Sequence, residues 1–349
     1  MPDIQSIFDL DAEALADLVS EWGEPRYRAD QIWKGVYRRL IDSAAGLTNV
    51  PRSLRDRLEA ERPFSTMIPR TRLRSSDGET EKLLLALRDG QAIEVVLMHY
   101  DRRRTACIST QVGCAMGCTF CATGQMGFRR HLSAGEIVEQ VILIARLLAS
   151  QDSRLTNIVV MGMGEPFHNY DATMAAIDRL SDPAGFHFGA RRFTLSTVGL
   201  VPMIERFAAE KRQVNLAVSL HAATNELRSQ LLPVNRRYPL EVLMPACRAY
   251  VGITGRRLTF EWALIEGVND TDEQAAALAE WVGGMNVHVN LIPLNPTRLY
   301  PGAGSSPDRS QAFAAGLTAR GIACTVRLRR GIDIQAGCGQ LATQAPAQG

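Results

Sequence analysis

Cys114, Cys118 and Cys121 stand four and then three positions apart in the stretch Cys114-Ala115-Met116-Gly117-Cys118-Thr119-Phe120-Cys121-Ala122-Thr123-Gly124. Three thiolates so spaced can hold three irons of a cubane iron–sulfur cluster and leave the fourth iron without a protein ligand. An open iron suits a cluster that must bind and reduce a substrate rather than only relay electrons. The competing chemistry is a structural zinc site with Cys107 as fourth ligand. Zinc motifs more often bring two separated C-x2-C knuckles, and only Cys118 and Cys121 form such a pair here.

Other reactive residue types lie far off in sequence. Cys338 sits between Gly337 and Gly339, beyond the last apolar segment. A cysteine so placed has little packing purpose, and its thiolate is a nucleophile. Cys107 lies just ahead of the three-cysteine loop, whereas Cys247 and Cys324 fall in apolar segments and read as small core residues. Glu94 interrupts a β-branched run 13 residues before Cys107; strand carboxylates usually face solvent, but this one can also project toward the same cavity. Gly162-Met163-Gly164-Glu165-Pro166 ends another apolar run, where glycines admit a close ligand and Glu165 offers an anion to a cationic amino group. Ser196, Ser219-Leu220-His221 and Asn295 occupy corresponding places further on. Each polar residue alone reads as structural; their recurrence at successive strand ends is the signal.

The elements that would position these residues follow from periodicity. Apolar strand patterns at 105–110, 157–162, 193–198, 215–221, 258–265, 287–295 and 322–328 alternate with helical patterns at 133–150, 171–180, 201–209, 240–251, 271–282 and 310–319. Such alternation implies an α/β fold with a parallel sheet and outer helices, here a (βα)6 partial TIM barrel whose ligands sit beyond the C-terminal strand ends. The cysteine loop follows the first of these strands, at the ligand end. Residues 1–75 read as a small helical domain, with apolar faces at 11–22, 29–40 and 53–60. Residues 76–100 read as a β-hairpin extension turning at Asp89-Gly90, residues 101–342 as the catalytic core, and 343–349 as a mobile tail.

Composition narrows the class. The 349 residues are 46% apolar and 22% charged, as in ordinary globular proteins. No leader pattern is visible at Met1-Pro2-Asp3-Ile4-Gln5, and the best apolar run, 138–148, contains Glu139 and Arg146. A cytoplasmic protein is therefore expected, with its seven cysteines reduced and free for metal or catalysis. The net charge of +2 carries little information, but only Lys34, Lys82 and Lys211 among 39 basic residues are lysines. Arginine binds phosphate bidentately and stacks on bases, so the pairs at Arg129-Arg130, Arg236-Arg237 and Arg329-Arg330 suit an RNA partner.

Taken together, Cys107 through Gly124, Gly162 through Pro166, Ser219-Leu220-His221 and Ala336 through Leu341 resemble the RlmN/Cfr family of radical S-adenosylmethionine (SAM) enzymes. The resemblance runs from about Glu24 to Leu341. It implies a [4Fe-4S] cluster on Cys114, Cys118 and Cys121, and SAM held by Gly164, Glu165, Ser196, Ser219, Leu220, His221 and Asn295. It implies methylation of an adenine of 23S rRNA in the peptidyl-transferase centre, and in some members of an adenine beside the tRNA anticodon. Two SAM molecules serve each turnover: one methylates Cys338, and the other is cleaved to a radical that takes hydrogen from that methyl. The carbon radical adds to adenine, Glu94 or Cys107 takes the ring proton, and Cys107 releases the adduct through a transient disulfide with Cys338. A flavodoxin- or ferredoxin-type reductant and a monomeric enzyme are further expectations. The segments 291–296 and 221–222 resemble the branch that modifies C2 more than the Cfr branch, which modifies C8.

Two other readings compete: a radical SAM enzyme of other purpose, against which Cys338 in its glycine setting argues, and a non-catalytic RNA-binding protein with structural zinc. Metal analysis separates the zinc protein from the enzymes. Anaerobically purified protein is expected to be brown and oxygen-sensitive with about four irons per chain; stoichiometric zinc in place of iron would exclude the cluster.

Overall fold

All but two of the strands join one ten-stranded sheet, in the order β1-β2-β3-β4-β7-β8-β9-β10-β11-β12. The computed structural model describes residues 5–343, so all but residue 343 of the tail read at 343–349 lies outside the described residues. The strands are β1 (Ile68–Arg74), β2 (Thr80–Ala86), β3 (Ala92–His99), β4 (Arg104–Cys107), β5 (Gln111–Gly113), β6 (Phe128–His131), β7 (Asn157–Val160), β8 (Phe193–Thr197), β9 (Asn215–Ser219), β10 (Leu258–Leu264), β11 (Val287–Pro293) and β12 (Cys324–Val326). The helices are α1 (Ala12–Glu21), α2 (Tyr27–Tyr37), α3 (Arg52–Glu61), α4 (Ala122–Gln125), α5 (Ala134–Ala149), α6 (Tyr170–Ser181), α7 (Val201–Ala209), α8 (Asn225–Leu231), α9 (Leu240–Thr254), α10 (Asp272–Val282) and α11 (Pro307–Thr318).

From β4 onward each neighbour in the large sheet is parallel, and β1 to β4 are antiparallel. This is the α/β architecture, largely parallel with outer helices, expected from strand–helix alternation. The side-chain period of two sorts each strand between its two faces. In β8, Phe193, Leu195 and Thr197 are buried while Thr194 and Ser196 are half-exposed; in β11, His288, Asn290 and Ile292 alternate with buried neighbours. The half-exposed set lines the inside of a curved, incompletely closed barrel, and the buried set packs beneath the outer helices. Among the described residues no helix is long and apolar enough to cross a membrane.

The N-terminal helices are docked onto this core rather than tethered beside it. Leu15, Val19, Ile32, Trp33, Val36 and Tyr37 form their buried face. Trp33 Nε1 donates to Asp182 Oδ2 at 2.7 Å, and Asp9 Oδ1 accepts from Ser133 Oγ and the Gly135 amide at the start of α5. Glu139, buried in α5, grips the linker to β1: its carboxylate accepts from Ser65 Oγ, Thr66 N, Thr66 Oγ1 and Met67 N at 2.5–3.0 Å.

Five elements depart from the sequence expectation. β1 lies inside the stretch read as helical, because its burial pattern is mostly exposed and offers no apolar alternation. It adds a third strand to the hairpin, which then continues into the barrel sheet through β3 and β4. β5 and β6 form a separate two-stranded sheet, and the polar Phe128-Arg129-Arg130-His131 gives little strand signal. The short α4 and α8 also went unread; only two residues of α8, Arg228 and Leu231, are buried.

Replacing Glu139 with Ala strands four donors, one of them a buried amide. Loss of about 2–3 kcal/mol is expected for Glu139→Ala, with a smaller loss for Glu139→Gln, measured by urea unfolding.

Candidate active site

The three-cysteine loop is pinched shut at its base. The Cys114 amide donates to Gly127 O at 3.0 Å, and β5 pairs with β6 immediately outside. Gly113 makes the pinch possible: it has φ +71°, and a Cβ there would fall 1.8 Å from Gly127 O. Cys114 and Cys118 are buried and Cys121 is half-buried. Burial pushes the Cys114 thiol up to about 12, with Glu165 and then Cys121 adding to the rise, and the Cys118 thiol well above its usual value, with Cys121 and Cys114 adding to it. The three sulfurs are thus electrostatic neighbours. Yet no three His, Cys, Asp or Glu side chains among the described residues are arranged to hold a metal ion. Three thiols from one loop that bear on one another suit ligands to three separate irons of one cluster.

The chain brings Cys338 to this loop by hydrogen bonds on its C-terminal side. Ala122 N donates to Gly339 O and Thr123 Oγ1 to Leu341 O, both at 2.7 Å. Asn295 Nδ2 donates to Cys338 O itself at 3.1 Å. Cys338 is exposed within the mouth and walled by protein elsewhere; burial pushes its thiol up to about 12, and the carboxylate of Glu261 adds to the rise. The Cys107 thiol is also pushed up to about 12, chiefly by burial and next by Cys338. Two cysteines 231 positions apart in the chain therefore sense each other across the barrel.

Strand register explains why Glu94 faces the same space. Val96 is opposite both Lys82 and Cys107, and Glu94 lies two residues before Val96. Lys82, Glu94 and Cys107 consequently share one sheet face. Lys82 Nζ lies 2.9 Å from Glu94 Oε1, with both side chains at most 4% exposed. The same ammonium donates to Gln335 O at 3.1 Å, and Glu94 Oε2 accepts from Ala342 N at 2.8 Å. One buried ion pair thus holds both ends of the segment that carries Cys338. Burial raises the Glu94 pKa, and Lys82 and the Ala342 amide oppose that rise. No role was read for Lys82 in the sequence, where its being one of only three lysines was the one available signal.

The other residues read from the strand ends do gather at the mouth, with different local roles. Ser196 and Ser219 stand side by side, Oγ to Oγ 3.3 Å. Glu165 is already engaged: Oε1 accepts from Phe167 N and Oε2 from Val198 N, both at 2.9 Å, joining the loops after β7 and β8. Burial lifts its pKa to about 7 against those hydrogen bonds. Gly164, at φ +104°, lets this loop press on Gln111, where a Cβ would meet that side chain at 2.6 Å. Leu220 is fully buried, so only its backbone serves the mouth. His221 is a packing and capping residue: Nδ1 accepts from Ala263 N at 2.9 Å, and its ring meets Phe120 of the cysteine loop edge-on. Burial depresses its pKa to about 3, which keeps it neutral. Asn295 is buried and its Oδ1 has no partner. An orphaned buried acceptor beside the Cys338 segment fits a ligand donor such as an exocyclic amine. Three further arginine clusters in the sequence, Arg102–Arg104, Arg191-Arg192 and Arg256-Arg257, lie at the starts of β4, β8 and β10, the end away from the mouth. Arg129-Arg130 lies on the mouth side in β6, whereas Arg330 pairs with Glu79 and stacks on Tyr100 at the opposite end.

Residues 108–279 match the Radical SAM superfamily, and residues 5–62 match the ribosomal RNA large subunit methyltransferase N-terminal domain. The chain is 50% identical to the dual-specificity RNA methyltransferase RlmN 1 of Myxococcus xanthus, over 96% of this chain and 94% of that one. It is 48% identical to the probable dual-specificity RNA methyltransferase RlmN of Chloroflexus aurantiacus, over 96% of this chain and 92% of the relative. A crystal structure of a radical SAM methyltransferase from Sphaerobacter thermophilus superposes with a TM-score of 0.96 at 51% identity, covering 97% of this chain and all of that one.

Lys82→Met leaves Glu94 buried without its partner. Destabilisation of about 3–5 kcal/mol is expected from that single change, and much of it should return in Lys82→Met/Glu94→Gln. Guanidinium unfolding of the three proteins measures the coupling.

Proposed function

The chain belongs to the RlmN family of radical SAM methyltransferases, and from that premise we propose that it methylates C2 of an adenine in 23S rRNA through a methyl carried on Cys338. When bound, a [4Fe-4S] cluster on Cys114, Cys118 and Cys121 provides one-electron reducing power, and SAM provides both the methyl group and the radical source. Everything else falls to the chain. Cys338 accepts the methyl and presents it, and its hydrogen-bonded attachment to the cysteine loop is the observation that carries the reading. Cys107, on the lumen face beside it, is the thiol whose sulfur bonds to the Cys338 sulfur as the Cys338 S–C bond to the adduct breaks; that electron pair and the Cys107 proton go to the departing carbon, which leaves as the methyl of the base.

Two groups compete for the ring proton. Cys107, with its thiol pushed up to about 12, is protonated at neutral pH and is a poor acceptor. Glu94 is a carboxylate with a raised pKa and a cation against Oε1, which suits a base that must be ionised first and take a proton later. Its Oε2 is held by the Ala342 amide, so the carboxylate accepts through a remaining lone pair. The roles of Gly164, Glu165, Ser196, Ser219, Leu220, His221 and Asn295 are to enclose SAM, with the unpaired Asn295 Oδ1 receiving the adenine amine.

RNA as substrate is supported by surface chemistry. Phe128, His131 and His168 form an exposed ring cluster on the mouth side, with centroids 4.8–5.4 Å apart, next to Arg129. Aromatic faces beside cations are how unstacked bases are held. The relatives named dual-specificity RNA methyltransferases support a second substrate, an adenine near the tRNA anticodon. A flavodoxin- or ferredoxin-type protein is the reductant this chemistry calls for. C8 methylation is the alternative regiochemistry.

Cys338→Ala is expected to keep its iron, to cleave SAM at a measurable rate, and to give no methylated RNA. Normal methylation by that variant would refute the carried methyl. Mass spectrometry of reacted 23S rRNA fragments should show 2-methyladenine; 8-methyladenine would overturn the assignment.

A further inference from the structure

Arg228 is the one fully buried arginine among the described residues, and no ion pair among them includes it. Nε donates to Leu220 O at 3.2 Å, Nη1 to Asn235 Oδ1 at 2.8 Å and Tyr238 O at 3.4 Å, and Nη2 to Val198 O at 2.7 Å and Ser219 O at 3.4 Å. All five acceptors are neutral, and none of the salt bridges among the described residues includes Arg228. Hydrogen bonds to carbonyls satisfy the guanidinium donors without neutralising its charge, and a lone buried charge is costly.

The location of this charge indicates its partner. Arg228 lies on α8, and Leu231, one turn later, receives both the Thr119 amide at 3.0 Å and Thr119 Oγ1 at 3.5 Å. Thr119 follows Cys118 directly. Leu227 and Leu231 belong to the apolar cluster that contains Cys118, together with Val198 and Ala222. The anion-forming groups that bear on Arg228 among the described residues are the thiols of Cys118 and Cys247, and arginine stays protonated at neutral pH. Three thiolates and an oxidised [4Fe-4S] core sum to a net charge of −1, and to −2 after one electron is added.

We infer that Arg228 is the built-in counter-charge of the iron–sulfur site, held behind Cys118 to favour the reduced cluster. The inference rests on the cluster assigned above. The one electron comes from the flavodoxin- or ferredoxin-type donor; Arg228 neither gains nor loses a proton or an electron. Because the same guanidinium spans the carbonyls after β8 and β9, it also fixes that charge relative to the loops meant for SAM. Burial keeps the interaction unscreened by salt, which a surface arginine would not achieve.

Reductive titration of the reconstituted protein, followed by electron paramagnetic resonance of the reduced cluster, tests this without turnover. Arg228→Gln removes the charge. Cys247→Asp leaves the fork in place and neutralises it with a neighbouring carboxylate. Both are expected to lower the reduced-to-oxidised ratio at a fixed poise by about tenfold, a shift of about 59 mV for one electron, at unchanged iron content. Arg228→Lys, which keeps the charge and loses the fork, is expected to retain most of the wild-type potential. An unchanged potential in Cys247→Asp, or a fall in Arg228→Lys as large as in Arg228→Gln, would overturn the counter-charge. Absence of iron from the wild-type protein would instead remove the cluster reading on which it rests.

Discussion

The arrangement at the mouth depends on the buried Lys82–Glu94 pair. A segment that carries a reactive sulfur must be held within a fraction of an ångström, yet residues 335–342 contain no helix or strand to hold it. The pair supplies what regular structure does not: the ammonium takes the Gln335 carbonyl and the carboxylate takes the Ala342 amide. Each end is gripped by a charged group, which makes both hydrogen bonds stronger than neutral ones. The desolvation cost of burying two ions is offset only because each has a further partner, so the ion pair and the segment stabilise one another.

Much of this was legible in the sequence, for physical reasons that can be named. The strand–helix alternation from residue 105 onward is encoded in apolar periodicity, and it places every strand end on one side. Cys114, Cys118, Cys121 and Cys338 are rare residue types in glycine settings, where a packing explanation fails. The elements that escaped reading lacked a periodic apolar face: β1 and β6 are mostly exposed, and α8 spans only seven residues. Long-range partnerships escaped for another reason. That Lys82 faces Glu94 follows only from register, and that Arg228 lies behind Cys118 follows only from where α8 docks. His221 and Glu165 were correctly singled out, yet their side chains are spent largely on fixing neighbouring loops.

Electrostatics divides the site into two kinds of group. Cys107, Cys114, Cys118, Cys338 and Glu165 have their charged forms disfavoured by burial. Cations work in the other direction, and two of them, Lys82 and Arg228, are built into the walls. The interior is therefore prepared for negative charge that arrives with its ligands rather than for charge it holds alone.

The sheet does not close on itself: β12 and β1 are both edges. The chain beyond β12 crosses to the other side, where Arg330 pairs with Glu79 and the Ser76 amide donates to Asp333. It forms a strap across the missing staves of the barrel, with Cys338 on its inner course. A folded RNA is far too wide to pass beneath such a strap, whereas one nucleotide swung out of its stack is not. Extrusion costs roughly a few kcal/mol for a paired base and least for one already unpaired. A mouth strapped in this way therefore favours a nucleotide that is already loosely stacked.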